Sequence, residues 1–248
     1  MKKTISILLL FVAITLLAQE LDKLSQANKF RQQGKYENEL QELDKLLIND
    51  KDNVEILWRI AQAHFDIADQ SEDKDVQKKH FYSGFKSAEK AVKIDPNNAR
   101  ANHWYATLIG KIGMLEGNKQ KIKNSYKVKE YALKSLEIDP NYDGSNHLLG
   151  RWHYEIASLS WPERKIASLI YSKPPNGSFA RAISYFKKAA KLKPDEIRHQ
   201  FWLGKTYLKT KEKEKAREAF RKVSTMKAFD NSDIIMKKEA AKLLKKLN

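Results

Sequence analysis

One box recurs along this chain and restricts its architecture more than any other feature. Ala91-Val-Lys-Ile-Asp-Pro-Asn-Asn98 returns as Ser135-Leu-Glu-Ile-Asp-Pro-Asn-Tyr142. A shorter copy reads Ala190-Lys-Leu-Lys-Pro-Asp195, and a worn one reads Leu46-Leu-Ile-Asn-Asp-Lys-Asp-Asn53. Each copy closes an apolar helical segment with a residue pattern that cannot extend the helix; where Pro is present, it can also begin the next one. A recurring helical unit cannot bury its apolar face alone, so the units must stack on one another.

The tetratricopeptide unit, about 34 residues in two antiparallel helices, is the template that fits. The first unit begins near Leu21, turns at Gly34-Lys-Tyr36 and carries Leu40, Leu43, Leu46 and Leu47 as its second apolar stripe. The second and third units are longer by about three helical turns, which lets both helices lengthen without changing face. Gly110, Gly113 and Gly117 are expected to loosen the turn of the third. The fourth unit is the longest. Between Ile156 and Ser178 it has room for an extra helix, with Ser160 at the cap, Pro162 in the first turn and Glu163 at N3. Pro174-Pro175-Asn-Gly177 then forces an extended turn. In the fifth unit Gly204, Tyr207, Ala216, Phe220 and Val223 fall on template positions, and Ser232 is expected to cap a last, lysine-rich helix from Asp233 to Leu247. The fold class predicted is all-α: a right-handed α-solenoid of about five helical hairpins, the middle ones lengthened, plus a C-terminal capping helix.

The N-terminus reads differently. Met1-Lys-Lys precedes an apolar run from Ile5 to Leu17, too short for a comfortable membrane span and suited to a signal-peptide core. Residues 1–18 are therefore expected to be a signal peptide and 19–248 the repeat domain. The protein would then be exported and periplasmic, or held by an N-terminal membrane anchor if uncleaved. Cysteine is absent, which excludes disulfides, thiolate catalysis and Cys-based metal sites. The formal charge of +16 favours anionic partners or peripheral contact with anionic membrane, although outward lysines also keep a solenoid soluble. Export makes nucleic acid the least expected partner.

The stretch Gly150-Arg-Trp-His-Tyr-Glu-Ile-Ala, followed by Leu159-Ser-Trp-Pro-Glu-Arg-Lys165 and the Pro174-Pro175 turn, resembles the regulator of microtubule dynamics family. The similarity extends from about Trp58 to Val223. It implies a tetratricopeptide-like domain and a non-enzymatic adaptor. Eukaryotic members are associated with microtubules or organelle membranes, and lipid binding has been proposed for the domain. An exported chain does not meet microtubules, so the fold and its groove are what the resemblance carries over.

The first helix of each hairpin should line the concave surface. One inward row then reads Leu24, Trp58, His103, His147, Phe201; the next reads Asn28, Gln62, Thr107, Arg151, Lys205; a third includes Arg31, Phe65, Tyr154 and Leu208. The candidate groove residues are Trp58, Phe65, His103, Thr107, His147, Arg151, Tyr154, Arg164, Phe201 and Lys205. Aromatics with cations suit a protein or peptide partner, or else an amphipathic anionic ligand such as a phospholipid. Glu155, four residues after Arg151, is expected to form an internal ion pair that pins the extra helix across the groove. His103 and His147 lack a carboxylate at ligand spacing, so neither metal nor cofactor is expected. No nucleophile–base–orienter arrangement is legible, and no catalytic residue is assigned.

Overall fold

A computed structural model of the chain describes residues 24–171 and 175–247. The expected signal peptide, the Leu21 start of the first unit and Pro174 of the double-proline turn lie outside the described residues. Within them there is no strand, and no helix is long and apolar enough to cross a membrane.

Five antiparallel hairpins follow one another. They are α1 (Ser25–Gln32) with α2 (Tyr36–Asn49), α3 (Val54–Gln70) with α4 (Lys74–Ile94), and α5 (Ala99–Leu115) with α6 (Asn118–Ile138). Then α7 (Asp143–Ala157) pairs with α9 (Phe179–Leu192) across an inserted α8 (Trp161–Ile170), and α10 (Ile197–Lys209) pairs with α11 (Lys213–Thr225). The closing helix is α12 (Asn231–Leu247). The molecule is thus an α-solenoid of the expected plan.

The recurring box forms one turn twice. Asp95 Oδ1 accepts from Asn97 N at 2.9 Å, and Asp139 Oδ1 accepts from Asn141 N at 3.0 Å. Six residues beyond each Pro, an Asn reaches back: Asn102 Nδ2 donates to Pro96 O at 2.9 Å, and Asn146 Nδ2 donates to Tyr142 O at 2.8 Å. Asn98 also caps α5, its side chain accepting from Ala101 N. These bonds satisfy polar groups that a helix end would leave unpaired.

Hairpins interlock where glycine meets phenylalanine. A Cβ on Gly150 would lie 2.7 Å from the Phe186 ring, and one on Gly204 would lie 2.7 Å from Phe220. Both rings are fully buried. Such rings contribute about 3–5 kcal/mol each against truncation to Ala. At the first turn Gly34 has φ +68°, a conformation that costs other residues about 1 kcal/mol.

Four local expectations are corrected. Gly110 and Gly113 sit inside α5 and only Gly117, at φ +93°, makes the turn. Gly113 instead admits the α6 backbone, where an added Cβ would lie 3.0 Å from Lys121 Cα. Second, α12 starts at Asn231, because Asp230 Oδ1 takes the Asp233 N–H at 2.9 Å, leaving Ser232 inside the helix. Third, α8 does form, with the Ser160–Glu163 capping box, but it does not cross the trough. Ile166, Ala167, Ile170 and Tyr171 pack with Ile122 of α6, and Tyr171 Oη donates to Ile122 O at 3.0 Å. Last, Glu155 pairs with Arg151 and with Lys121 of α6, so it leaves no charge to pin α8.

What closes the trough is α12. Ala240, Met236, Leu243 and Leu244 pack on α10 and α11, while its first turn reaches α3 at the far side. Ser232 Oγ donates to Asp69 Oδ2 at 3.1 Å across 163 residues of sequence.

Candidate functional site

The concave helices and α12 line a half-open cavity of about 380 Å³. Of the ten residues expected to line a groove, Phe65, His103, Thr107, His147, Arg151, Phe201 and Lys205 line this one. The other three lie elsewhere. Trp58 packs between hairpins, with the Arg59 and Arg100 guanidinia 5.2 and 5.7 Å from its ring centroid. Tyr154 is core, edge-on to Phe179 and Trp202. Arg164 is exposed on α8, where its Nη2 donates to Ala157 O. Tyr154 follows Arg151 by three residues, one step round the helix and into the next hairpin, which explains the miss.

Apart from Glu155, sequence reasoning missed the acidic part of the lining. Asp66, Asp69, Glu155, Glu196, Asp230, Asp233 and Glu239 face the same cavity as Lys111, Lys121, Arg151, Arg198 and Lys205. Three of the carboxylates come from α12 or the turn before it, whose position the repeat pattern does not specify. Asp66 directly follows the inward Phe65 and Asp69 lies one helical turn beyond it, so both were legible as inward positions.

Most of these charges are paired. Asp66 meets Arg31 Nη1 at 2.9 Å, and Arg31 Nε meets the buried Glu39 at 2.7 Å. Burial outweighs the help from Arg31 and lifts the Asp66 carboxyl to about 6. Asp69 is opposed by burial too, but the Lys111 ammonium and the Ser232 hydroxyl hold it below its ordinary value. Glu155 receives Lys121 Nζ at 2.9 Å and Arg151 Nη2 at 3.1 Å, and Lys205 Nζ meets Glu239 at 3.0 Å. Arg151 also lies 3.4 Å from the centre of the Trp202 ring, a cation–π contact. The Nε of Arg151 and the Nε1 of Trp104 are buried without an acceptor.

The two histidines occupy equivalent places and are held by buried chains. His147 Nδ1 meets His199 Nδ1 at 3.0 Å, and His199 Nε2 meets Asp143 Oδ2 at 3.0 Å. His103 Nδ1 meets Ser145 Oγ at 3.0 Å, and Ser145 Oγ meets Ser135 Oγ at 2.7 Å. Burial pushes His103 down to about 3 and His147 well below the usual imidazole range. Among the described residues no cluster of His, Asp or Glu is arranged to hold a metal ion.

Stacked antiparallel helical hairpins of this plan make the fold a tetratricopeptide-like solenoid. Its backbone is similar to that of a thermophilic tetratricopeptide protein of Thermus thermophilus, TTC0263, with a TM-score of 0.66 over 90% of this chain and 98% of that one, at 12% identity. It is also similar to PilW, a type IV pilus biogenesis factor, with a TM-score of 0.57 over 90% of this chain and 84% of that one, at 17% identity. Residues 19–248 match the family described as regulator of microtubule dynamics protein 1-3, and the chain belongs to that family. Regulator of microtubule dynamics protein 1 of Mus musculus is 35% identical over 89% of this chain and 72% of its own length. The Bos taurus protein of the same name is 33% identical over 90% and 70%.

Proposed function

We propose that this protein is a non-enzymatic adaptor that holds a peptide segment of a partner protein in the cavity closed by α12. The observation that carries this is the lining: Phe65, Trp104, Phe201 and Trp202 alternate with charges already neutralised by neighbours. Aromatic surface rewards burial of apolar side chains, and paired charges offer oriented hydrogen bonds without a strong preference for one sign. A phospholipid carrier is the weaker reading, because Lys111, Lys121, Arg151 and Lys205 are already engaged by carboxylates and none is left free to bind a phosphate headgroup.

The buried hydrogen-bond chains of the wall fit binding better than catalysis. The Asp143–His199–His147 row ends on an imidazole, not on a hydroxyl or thiol. Ser145, beside His103, is fully buried and bonded to Ser135. The name carried by the relatives is that of a regulator, which fits the same reading. Export is a further part of it and rests on the sequence of residues 1–18 alone.

Panning a displayed peptide library on the native protein and on Thr107→Trp tests the cavity directly. Peptides selected by the native protein should bind the filled variant at least tenfold more weakly, with its melting curve retained. Equal affinity for both would remove the cavity from the binding surface.

A further inference from the structure

The two histidine chains have a direction, because each ends in a group that can only accept. The Asp143 carboxylate accepts, so His199 Nε2 carries the proton it shows to Asp143. With one proton on a neutral ring, His199 Nδ1 is then an acceptor, and the hydrogen bond to it must come from His147 Nδ1–H. That leaves His147 Nε2 as a lone pair. Burial keeps both rings neutral, pushing His199 as well as His147 below the ordinary value.

The second chain runs the same way by different chemistry. Ser135 Oγ donates its single proton to Ala99 O at 2.8 Å, so in the Ser135–Ser145 bond Ser145 is the donor. Ser145 Oγ therefore accepts from His103 Nδ1–H, and His103 Nε2 is also a lone pair, with only the Thr107 hydroxyl at 3.5 Å. No side chain or backbone group of the described residues meets His147 Nε2, and His147 is half-buried in the cavity wall.

We propose that His147 Nε2 is a preset acceptor that binds an amide N–H of an extended polypeptide in the cavity. Phosphodiesters and ionised carboxylates bring acceptors only and leave this lone pair unanswered. A peptide backbone brings N–H donors at regular spacing. This assignment rests on the peptide reading above and names the chemical group recognised.

Long-range proton–nitrogen correlation spectra of the protein carrying nitrogen-labelled histidine report each ring's tautomer. His147 and His103 should both show an unprotonated Nε2, and His199→Phe should release His147 from that form. A protonated His147 Nε2 in the native protein would overturn the assignment even if the variant failed to fold. N-acetyl-leucine N-methylamide should then shift the His147 Nε2 resonance, while N-acetyl-N-methyl-leucine N,N-dimethylamide, which has no N–H at all, should shift it at most a third as far. Equal shifts, or no shift in a protein that still binds its selected peptides, refute the acceptor role and leave the peptide reading standing. Amide-specific shifts in a protein that selects no peptide would do the reverse.

Discussion

At the scale of single residues, burial decides the charge state of the inner wall, and it pulls in two directions. His103 titrates near 3 in the folded protein and near 6.5 when free of it. The unfolded chain binds more protons between those values, so the stability His103 contributes is complete above pH 6.5 and is lost as pH falls toward 3. Asp66 works oppositely. Its folded value of about 6 exceeds the ordinary 3.8, so the native state binds more protons there and stability from this group grows as pH falls through that window. Replacing Asp66 by Asn removes the opposing contribution. Urea unfolding of Asp66→Asn should lose stability more steeply between about pH 6.5 and pH 4 than the native protein does. Parallel slopes would mean that Asp66 titrates as an ordinary surface carboxylate.

Between elements, the strongest specification is the glycine–phenylalanine interlock. A methyl group at Gly150 meets the Phe186 ring, whose movement is blocked by complete burial. Gly150→Ala should therefore destabilise the fold by about 1–3 kcal/mol, in spite of alanine's better helix propensity. For a chain of this size that lowers the melting temperature by about 2–4 °C per kcal/mol. An unchanged or raised midpoint by circular dichroism would show that α7 and α9 slide apart freely. Much of the element scale was readable beforehand, since the box, its Asn cap at Asn98 and the Ser160–Glu163 capping box act within a few residues of themselves. The place of α8 was not readable. Its capping signals specify a helix, whereas its resting place on α6 depends on Ile122, which lies 44 residues before Ile166 in sequence.

For the whole molecule, the seam between α12 and α3 makes a trough into a cavity. Asp69 anchors it by receiving both Lys111 and Ser232. Asp69→Asn should loosen the seam: amides in the first two turns of α12 should exchange at least tenfold faster, and X-ray scattering should give a larger radius of gyration. Unaltered exchange in α12 would assign the closure to the apolar packing of Met236, Ala240 and Leu243 alone.

The order of hairpins, their unequal lengths and seven of the cavity residues follow from the sequence, because helical periodicity and turn chemistry are local and the repeat sets which face turns inward. Trp58 and Tyr154 show the margin of error in that rule. Trp58 lies two helical turns before Phe65 on the same face, where Arg59 and Arg100 flank its ring, and Tyr154 lies one step round the helix from Glu155, where Phe179 and Trp202 take it. Tertiary structure alone decided that the cavity closes, that α12 and its preceding turn supply acidic residues to it, and that Asp143, His199 and His147 form one chain. Those facts depend on the accumulated rotation of five stacked hairpins. A small change in each crossing angle adds along the stack, so no single stretch of residues encodes where the two ends meet.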